Sequence, residues 1–317
     1  MKVKDMVENS EVNDNYLISS LSKGVTGNGA PYLNITLQDA TGSIEAKKWD
    51  ATLNDMELYA AGKVMHIYGT IIGHNGKLQI KIKSAEEVDN TNIDYDQFVI
   101  CAPIPRNELD KEFRMYVNMV KDESVRALLL ALVKKFYQPL LTHPAATRNH
   151  HEYCSGLLFH SVYCAKLCLA IANNYDNIPG GYQIDKDILI AGALMHDFGK
   201  IIELSGPIIT SYTTEGRLIG HISIMQSEIR EMAKSLNITN EVPMLLEHMI
   251  LSHHGKREFG SPVLPMTKEA LILSFADDID AKLNMLDKAL NNINDGKFTN
   301  KIYPLDERCF YRPKSRK

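Results

Sequence analysis

The chain has a single tryptophan and only five cysteines in 317 residues, and several protein classes are excluded by what it lacks. The cysteine number is odd and no CxxC pair occurs, which argues against a disulfide framework and for reduced thiols. The apolar runs in the sequence are shorter than a membrane span, and the opening Met1–Glu8 has no signal-peptide core. A cytoplasmic chain with no membrane partner is therefore expected. The net charge of −4 provides no strongly basic face for broad duplex binding, although a local groove for a single strand remains open. No internal repeat or low-complexity tract appears. The length is enough for a full core and for two domains.

What the chain does have is an ordered series of metal-binding side chains: His160, His196-Asp197, His221, His253-His254 and Asp277. Imidazole and carboxylate are ligands that borderline divalent metals accept, and six or more of them converging can hold two ions. Such a site suits phosphate-ester hydrolysis, because one ion activates water while the other steadies the leaving oxygen. On a helix the adjacent His196 and Asp197 diverge by about 100°. The histidine can then serve one ion while the aspartate bridges to the second. The apolar run Ile188–Met195 in front of them predicts a buried helix, where an imidazole and a carboxylate side by side need a partner.

Each candidate also has a plainer explanation. His160 alone would fit a hydrogen-bonded core histidine, His221 a first-turn residue, and His253-His254 a solvated helix end before Gly255. Cys164 and Cys168 share the stripe of His160 and read as small core residues rather than thiolate ligands. On the last helix the apolar face runs through Ile272, Phe275, Ile279, Leu283, Leu286 and Leu290. Asp277, Asp280 and Asn284 form a separate stripe beside small residues, so that stripe can face a buried polar site. Asp280 is either a support for the ligands or an exposed acid. Lys200, just after the His-Asp pair, can reach a phosphate oxygen or simply stabilise a helix end.

The fold class expected is α+β. Strands are predicted over Tyr16–Lys23, Tyr32–Gln38, Gly42–Trp49, Lys63–Ile72 and Lys77–Lys83, with a short helix over Ala51–Tyr59. Three strands, a helix and two strands is the order of an OB-fold. Leu33, Ile35, Leu37, Ile44, Ala46, Leu78, Ile80 and Ile82 would point into the barrel. Tyr32, Asn34, Lys47, Trp49, His66, Tyr68, Gln79 and Lys81 would point out. Tyr32, Lys47, Trp49, Tyr68 and Lys81 are the candidate contacts to a single strand, by stacking and phosphate pairing. The nine basic and nine acidic residues through Lys83 give no charge excess to decide the matter. The domains expected are 1–85 for the barrel, 86–106 for a linker and 107–307 for a helical unit. Residues 308–317 would be a basic, solvated tail. Helices are predicted near Asn107–Val120, Asp122–Tyr137, Leu157–Ala172, Asp185–Phe198, Gly220–Leu236, Val242–Ser252 and Thr267–Asn291.

His160, His196-Asp197-Phe198-Gly199-Lys200, Gly220-His221, Ser252-His253-His254-Gly255 and Ala276-Asp277 together resemble the HD-domain phosphohydrolase superfamily. Pro144-Ala145-Ala146, His150-His151 and Gly156–His160, placed after a small β domain, resemble the YhaM family of 3′-5′ exoribonucleases across nearly the whole chain. The resemblance implies stepwise hydrolysis of single-stranded RNA to nucleoside 5′-monophosphates at a two-ion centre. The ion implied is manganese, with cobalt or iron as substitutes. Asp197 and Lys200 would be the catalytic pair, Asp277 the terminal ligand, and Arg148, His150 and His151 the lining of the RNA entrance. Single-stranded DNA as a second substrate and self-association stay open. Two positions depart from relatives: Gly156 stands where three-metal cyclic-dinucleotide phosphodiesterases carry a ligating glutamate, and Phe159 stands where a polar residue is implied. The competing functions are a nucleotide or cyclic-dinucleotide phosphodiesterase and a nucleic-acid-binding regulator with a vestigial HD site.

Overall fold

The computed structural model describes residues 1–74, 76–89, 93–147, 151–176 and 178–314. Two compact units divide the chain: residues 1–101 with 207–209, and residues 102–206 with 210–317.

The first unit is a closed five-stranded barrel with neighbours in the order β1-β2-β3-β5-β4. The strands are β1 (Glu11–Val25), β2 (Pro31–Asp39), β3 (Gly42–Trp49), β4 (Val64–His74) and β5 (Lys77–Glu87), with helix α1 (Leu53–Leu58) between β3 and β4. β1 is longer than its apolar alternation indicates because its first half pairs with β4 and its second half with β2. A register shift between Ile18 and Ser20 bends it to serve both. The barrel closes through a short parallel pairing of Glu45–Lys47 on β3 with Gln79–Lys81 on β5. Leu33, Ile35, Leu37, Ile44, Ala46, Ile80 and Ile82 fill the interior as alternation predicts. Two β5 residues depart from that expectation: Leu78 is exposed at the start of the strand, and Gln79 is buried.

The second unit is helical: α2 (Arg106–Met119), α3 (Glu123–Leu140), α4 (Gly156–Tyr175), α5 (Lys186–Met195), α6 (Lys200–Glu203), α7 (Thr214–Ile219), α8 (His221–Ser235), α9 (Val242–Ser252) and α10 (Lys268–Asn291). By length and composition α4 is apolar enough to cross a membrane, contrary to the expectation from apolar runs, but here most of it is buried as the core helix. The small buried residues Ala165, Cys168 and Ala172 let its neighbours approach closely. After its first two residues α5 is buried throughout, from Ile188 to Met195. Asp185 caps its start, accepting from the amides of Asp187 and Ile188 at 3.0 Å.

One face in this unit takes a side that periodicity leaves open, and one sequence expectation fails. The apolar face of α10 does not turn inward; Ala270, Leu273, Ala276 and Asp280 are buried, while Phe275, Ile279 and Leu283 are exposed. The tail is not a free solvated end up to Lys314. Thr299 bonds back to Phe310, and Arg312 donates to the carbonyls of Leu290 and Ile293 at 2.8 Å, capping the end of α10.

Candidate metal centre

Helix ends bring most of the ligands together. His196 is the cap residue ending α5, His253 is the cap residue ending α9, and His221 opens α8. His160 projects from the second turn of α4, and Asp277 from the middle of α10. Gly199 makes the approach possible: a Cβ there would lie 2.1 Å from the carbonyl oxygen of His221. No larger residue could let the turn after Asp197 reach the start of α8.

Asp197 sits at the centre, buried, with its two oxygens facing different sets of side chains. Oδ2 lies 3.4 Å from His160 Nε2, 3.5 Å from His196 Nε2 and 2.6 Å from Lys200 Nζ. Oδ1 lies 3.5 Å from His221 Nε2 and 3.6 Å from His253 Nε2. Asp277 Oδ1 joins the first set, 3.2 Å from His160 Nε2 and 4.0 Å from His196 Nε2. His254 joins the second, with ligand atoms of His221, His253 and His254 all within 4.8 Å of one another. The His-Asp pair thus divides the cluster into two halves that share one carboxylate.

The tautomers are fixed from behind. His196 Nδ1 donates to Ala193 O at 2.8 Å, His253 Nδ1 to Ile250 O at 2.7 Å and His254 Nδ1 to Phe259 O at 2.7 Å. His221 Nδ1 donates to Glu203 Oε1 at 3.0 Å, and His160 Nδ1 to Asp280 Oδ2 at 2.7 Å. Every Nε2 is therefore turned toward the cluster as a lone pair, the arrangement seen around ligating histidines. Burial holds His254 down at about 4, with the neighbouring His253 adding to the effect, so its imidazole is neutral. Burial alone would raise Asp197, but the Lys200 ammonium and His196 hold it well below the usual carboxylate range.

Asp197 Oδ1, His221 Nε2 and His253 Nε2 are buried and make no hydrogen bond. Three orphaned acceptors facing one another are costly unless a cation lies among them. On the other side, the Nε2 atoms of His160 and His196 are 3.0 Å apart, a separation that likewise requires a proton or a metal ion nearby. The donor set fits two divalent ions. His160, His196, Asp277 and Asp197 Oδ2 would hold one, and Asp197 Oδ1, His221, His253 and His254 the other.

Three expectations need correction or restriction. His151 does not line an open entrance. It is buried, with its backbone in the left-handed region at φ 49°, and its Nε2 donates to Asp280 Oδ2 at 2.7 Å. Such a conformation costs about 1–2 kcal/mol in a residue with a Cβ; the bond to Asp280 and the bond from its amide to Asn284 Oδ1 at 3.0 Å hold it in place. Arg148 and His150 lie outside the described residues. Lys200, expected to reach a phosphate oxygen or to stabilise a helix end, is buried with its ammonium donating to Asp197 Oδ2. Phe159 stacks on Tyr163 at 4.2 Å between ring centres and lies in the wall beside His151. At Gly156 a Cβ would lie 2.1 Å from His151 O, so this position has no room for a glutamate. Burial pushes the Cys164 thiol up to about 12, against the opposing effect of His160, which keeps it a neutral core group.

Glu203 and Tyr153 are supports that the sequence does not expose, whereas Asp280 takes the supporting one of its two readings and His151 serves behind it rather than at an entrance. Tyr153 Oη meets His151 Nδ1 at 2.7 Å, and His151 in turn holds Asp280 against His160. The signal for Asp280 was its three-residue step from Asp277 on one helix; Glu203 has no comparable spacing. Asp280→Asn should weaken metal affinity by about 10–100-fold, the usual effect of losing a partner behind a ligating histidine. Calorimetric titration with Mn²⁺ checks this, and an unchanged affinity would remove Asp280 from the support of His160.

On the barrel, Tyr32 and Trp49 are cross-strand neighbours with ring centres 5.0 Å apart. Lys47 Nζ lies 5.4 Å from the Tyr32 ring and 5.0 Å from that of Trp49, and Lys47 pairs in register with the exposed Lys81 of β5. Tyr68, on β4, packs edge-on against His66 at 4.7 Å.

The HD domain family profile matches residues 157–282, and the profile of the OB-fold nucleic acid binding domain matches residues 17–88. The chain is 43% identical over 304 residues to the 3′-5′ exoribonuclease YhaM of Bacillus subtilis (strain 168), covering 96% of this chain and 95% of that protein. It is 43% identical over 300 residues to the 3′-5′ exoribonuclease YhaM of Geobacillus sp. (strain WCH70), covering 94% of this chain and 90% of that protein.

Proposed function

The chain belongs to the YhaM family of 3′-5′ exoribonucleases, and from that premise we propose how its own residues degrade a single strand. It is a metal-dependent exoribonuclease with an HD centre. In this proposal it shortens single-stranded RNA from the 3′ end and releases nucleoside 5′-monophosphates. The observation that carries the proposal is the division of ligands about Asp197, with orphaned acceptors on one of its oxygens and two close imidazoles on the other. Manganese is the proposed ion, with cobalt or iron as substitutes, because the donors mix imidazole with carboxylate. Two such ions would supply activation of water and stabilisation of charge on the phosphate and its leaving oxygen.

The chain's residues have separate tasks. Asp197 presents one oxygen to each half of the centre and fixes their separation. Lys200, held on Asp197, can turn another of its three N–H groups toward a phosphate oxygen. Glu203 and Asp280 keep His221 and His160 in the ligating tautomer. Departure of the ribose 3′ oxygen leaves the phosphate on the 5′ carbon of the released nucleotide, and the shortened RNA keeps a 3′ hydroxyl. A 5′-labelled RNA should give a descending ladder, and a 3′-labelled one should release labelled mononucleotide from the first turnover. Nucleoside 3′-monophosphates, or cleavage of circular RNA, would move the chain to another phosphodiesterase class.

The barrel face of Tyr32, Lys47, Trp49, Tyr68 and Lys81 is proposed to hold the strand, and single-stranded DNA could bind there by the same contacts. Two lysines side by side on adjacent strands repel each other unless an anion lies over them, and aromatic neighbours suit stacked bases. Trp49→Ala with Tyr68→Ala should weaken binding of long RNA by several-fold to about a hundredfold per lost contact. Cleavage of bis-p-nitrophenyl phosphate should be spared. Unchanged RNA affinity in the folded variant would exclude this face.

A further inference from the structure

Helix α10 turns an apolar face to solvent. Leu271, Phe275, Ile279 and Leu283 recur at four-residue steps and are 48%, 57%, 41% and 54% exposed. The opposite side of the helix carries the metal-centre residues Asp277 and Asp280 with Ala276 and Leu273, so this face has no part in the reaction. A row of large apolar side chains along a 24-residue helix is more than a lone surface ordinarily exposes, and such patches mark contact surfaces.

We propose that a second copy of this chain covers the face, with the two α10 helices antiparallel about a two-fold axis near Ile279. Shape supports this occupant. Beside the first half of α10, Leu271, Ile272 and Phe275 join Ile171 and Tyr175 of α4 around an apolar groove of about 290 Å³. The second half carries the exposed Leu283 with the half-buried Leu286 and Leu290 on the same side, a low ridge. Antiparallel pairing lays each ridge in the other copy's groove, which is the reciprocity a two-fold interface requires.

Charge supports it as well. Asp278 and Lys282 flank the stripe one turn apart, bonded at 2.6 Å and each about two-fifths exposed. In an antiparallel pair centred between them, Asp278 of one copy meets Lys282 of the other, and Lys282 meets Asp278. The face is therefore complementary to itself in charge and in shape. A helix of this length spans about 36 Å and covers roughly 400 Å² at its usual width. The groove walls must supply the rest of the roughly 800 Å² per partner in a standard interface. The dimer should accordingly depend on concentration.

Sedimentation velocity on the full chain, up to about 100 µM, tests the pairing by mass action. The wild type should reach the mass of two chains. Ile279→Glu, at an exposed position, should raise the dimer Kd by at least about a hundredfold. Asp278→Lys or Lys282→Asp alone should raise it by about tenfold or more, by setting like charges opposite each other. The double reversal should return it to within about threefold of wild type. Melting temperatures separate lost pairing from lost folding, and the double reversal keeps the test decisive if Ile279→Glu fails to fold. A wild type that stays monomeric throughout overturns the proposal and assigns the face to another partner. An assembly indifferent to these variants, or single reversals that the double does not rescue, overturns it equally.

Discussion

Asp197→Asn should lower RNA hydrolysis by at least about a hundredfold, the loss typical of removing a group that organises charge at the reacting centre. The carboxylate faces both halves of the cluster, with Oδ2 toward His160 and His196 and Oδ1 toward His221 and His253. An amide keeps the shape but offers a single weak acceptor, so at most one ion should remain tightly bound. The substitution also leaves the buried Lys200 ammonium without its anionic partner at 2.6 Å. Removing one member of a buried pair costs about 3–5 kcal/mol, so a lower melting temperature should accompany the lost activity. Lys200→Met separates the two effects. If Lys200 only steadies Asp197, the double variant Asp197→Asn/Lys200→Met should recover stability and gain no activity. If Lys200 also meets the phosphate, Lys200→Met alone should lower kcat with both ions still bound. Turnover on RNA, metal content by mass spectrometry and melting temperature are the measurements. Near-normal turnover of Asp197→Asn with two ions bound would end the bridging assignment.

Most ligand residues were legible in the sequence because they lie beside a local signal, whereas His160, inside an apolar helix, was legible only through its place in the ordered set. His196-Asp197 follows a fully apolar run, His221 follows a glycine, His253-His254 precede one, and Asp277 lies on a stripe of small neighbours. The barrel strands were legible through alternation wherever one side is buried. Less was legible where long-range partners decide. β1 extends back to Glu11 because β4 pairs with it, although Glu11–Asn15 shows little alternation. α6 and α7 are four and six residues long, too short for helical periodicity to register. His151 sits in a polar loop by sequence, and its burial depends on Asp280, 129 positions away. α10 shows the limit most clearly. Periodicity located its apolar face, but an apolar face looks the same in sequence whether it meets the core of its own chain or another surface.

Removal of metal should abolish RNA hydrolysis and also destabilise the helical unit. Asp197 and Asp277 are buried within one cluster, with Lys200 as the fixed cation among the groups at its centre. Without ions, Asp197 Oδ1, His221 Nε2 and His253 Nε2 stay buried and unsatisfied, each at a cost of about 1–3 kcal/mol. An ion present at a hundred times its Kd stabilises the fold by about 2.7 kcal/mol. For a unit of about 200 residues, each kcal/mol moves the melting temperature by roughly 2–4 °C. Each ion should therefore raise it by about 5–11 °C over the chelated protein. Manganese, cobalt and ferrous iron should restore both stability and activity. Magnesium should restore less, because it prefers oxygen ligands and gives up its water reluctantly. Asp280→Asn should shift the manganese titration to higher concentration without lowering the melting temperature reached at saturation by as much as Asp197→Asn does. Scanning fluorimetry across a metal series, read alongside nuclease activity, measures all of this. Full activity in protein shown to be metal-free, or no thermal shift with any divalent ion, would mean that the paired imidazoles and carboxylates do not form a metal centre.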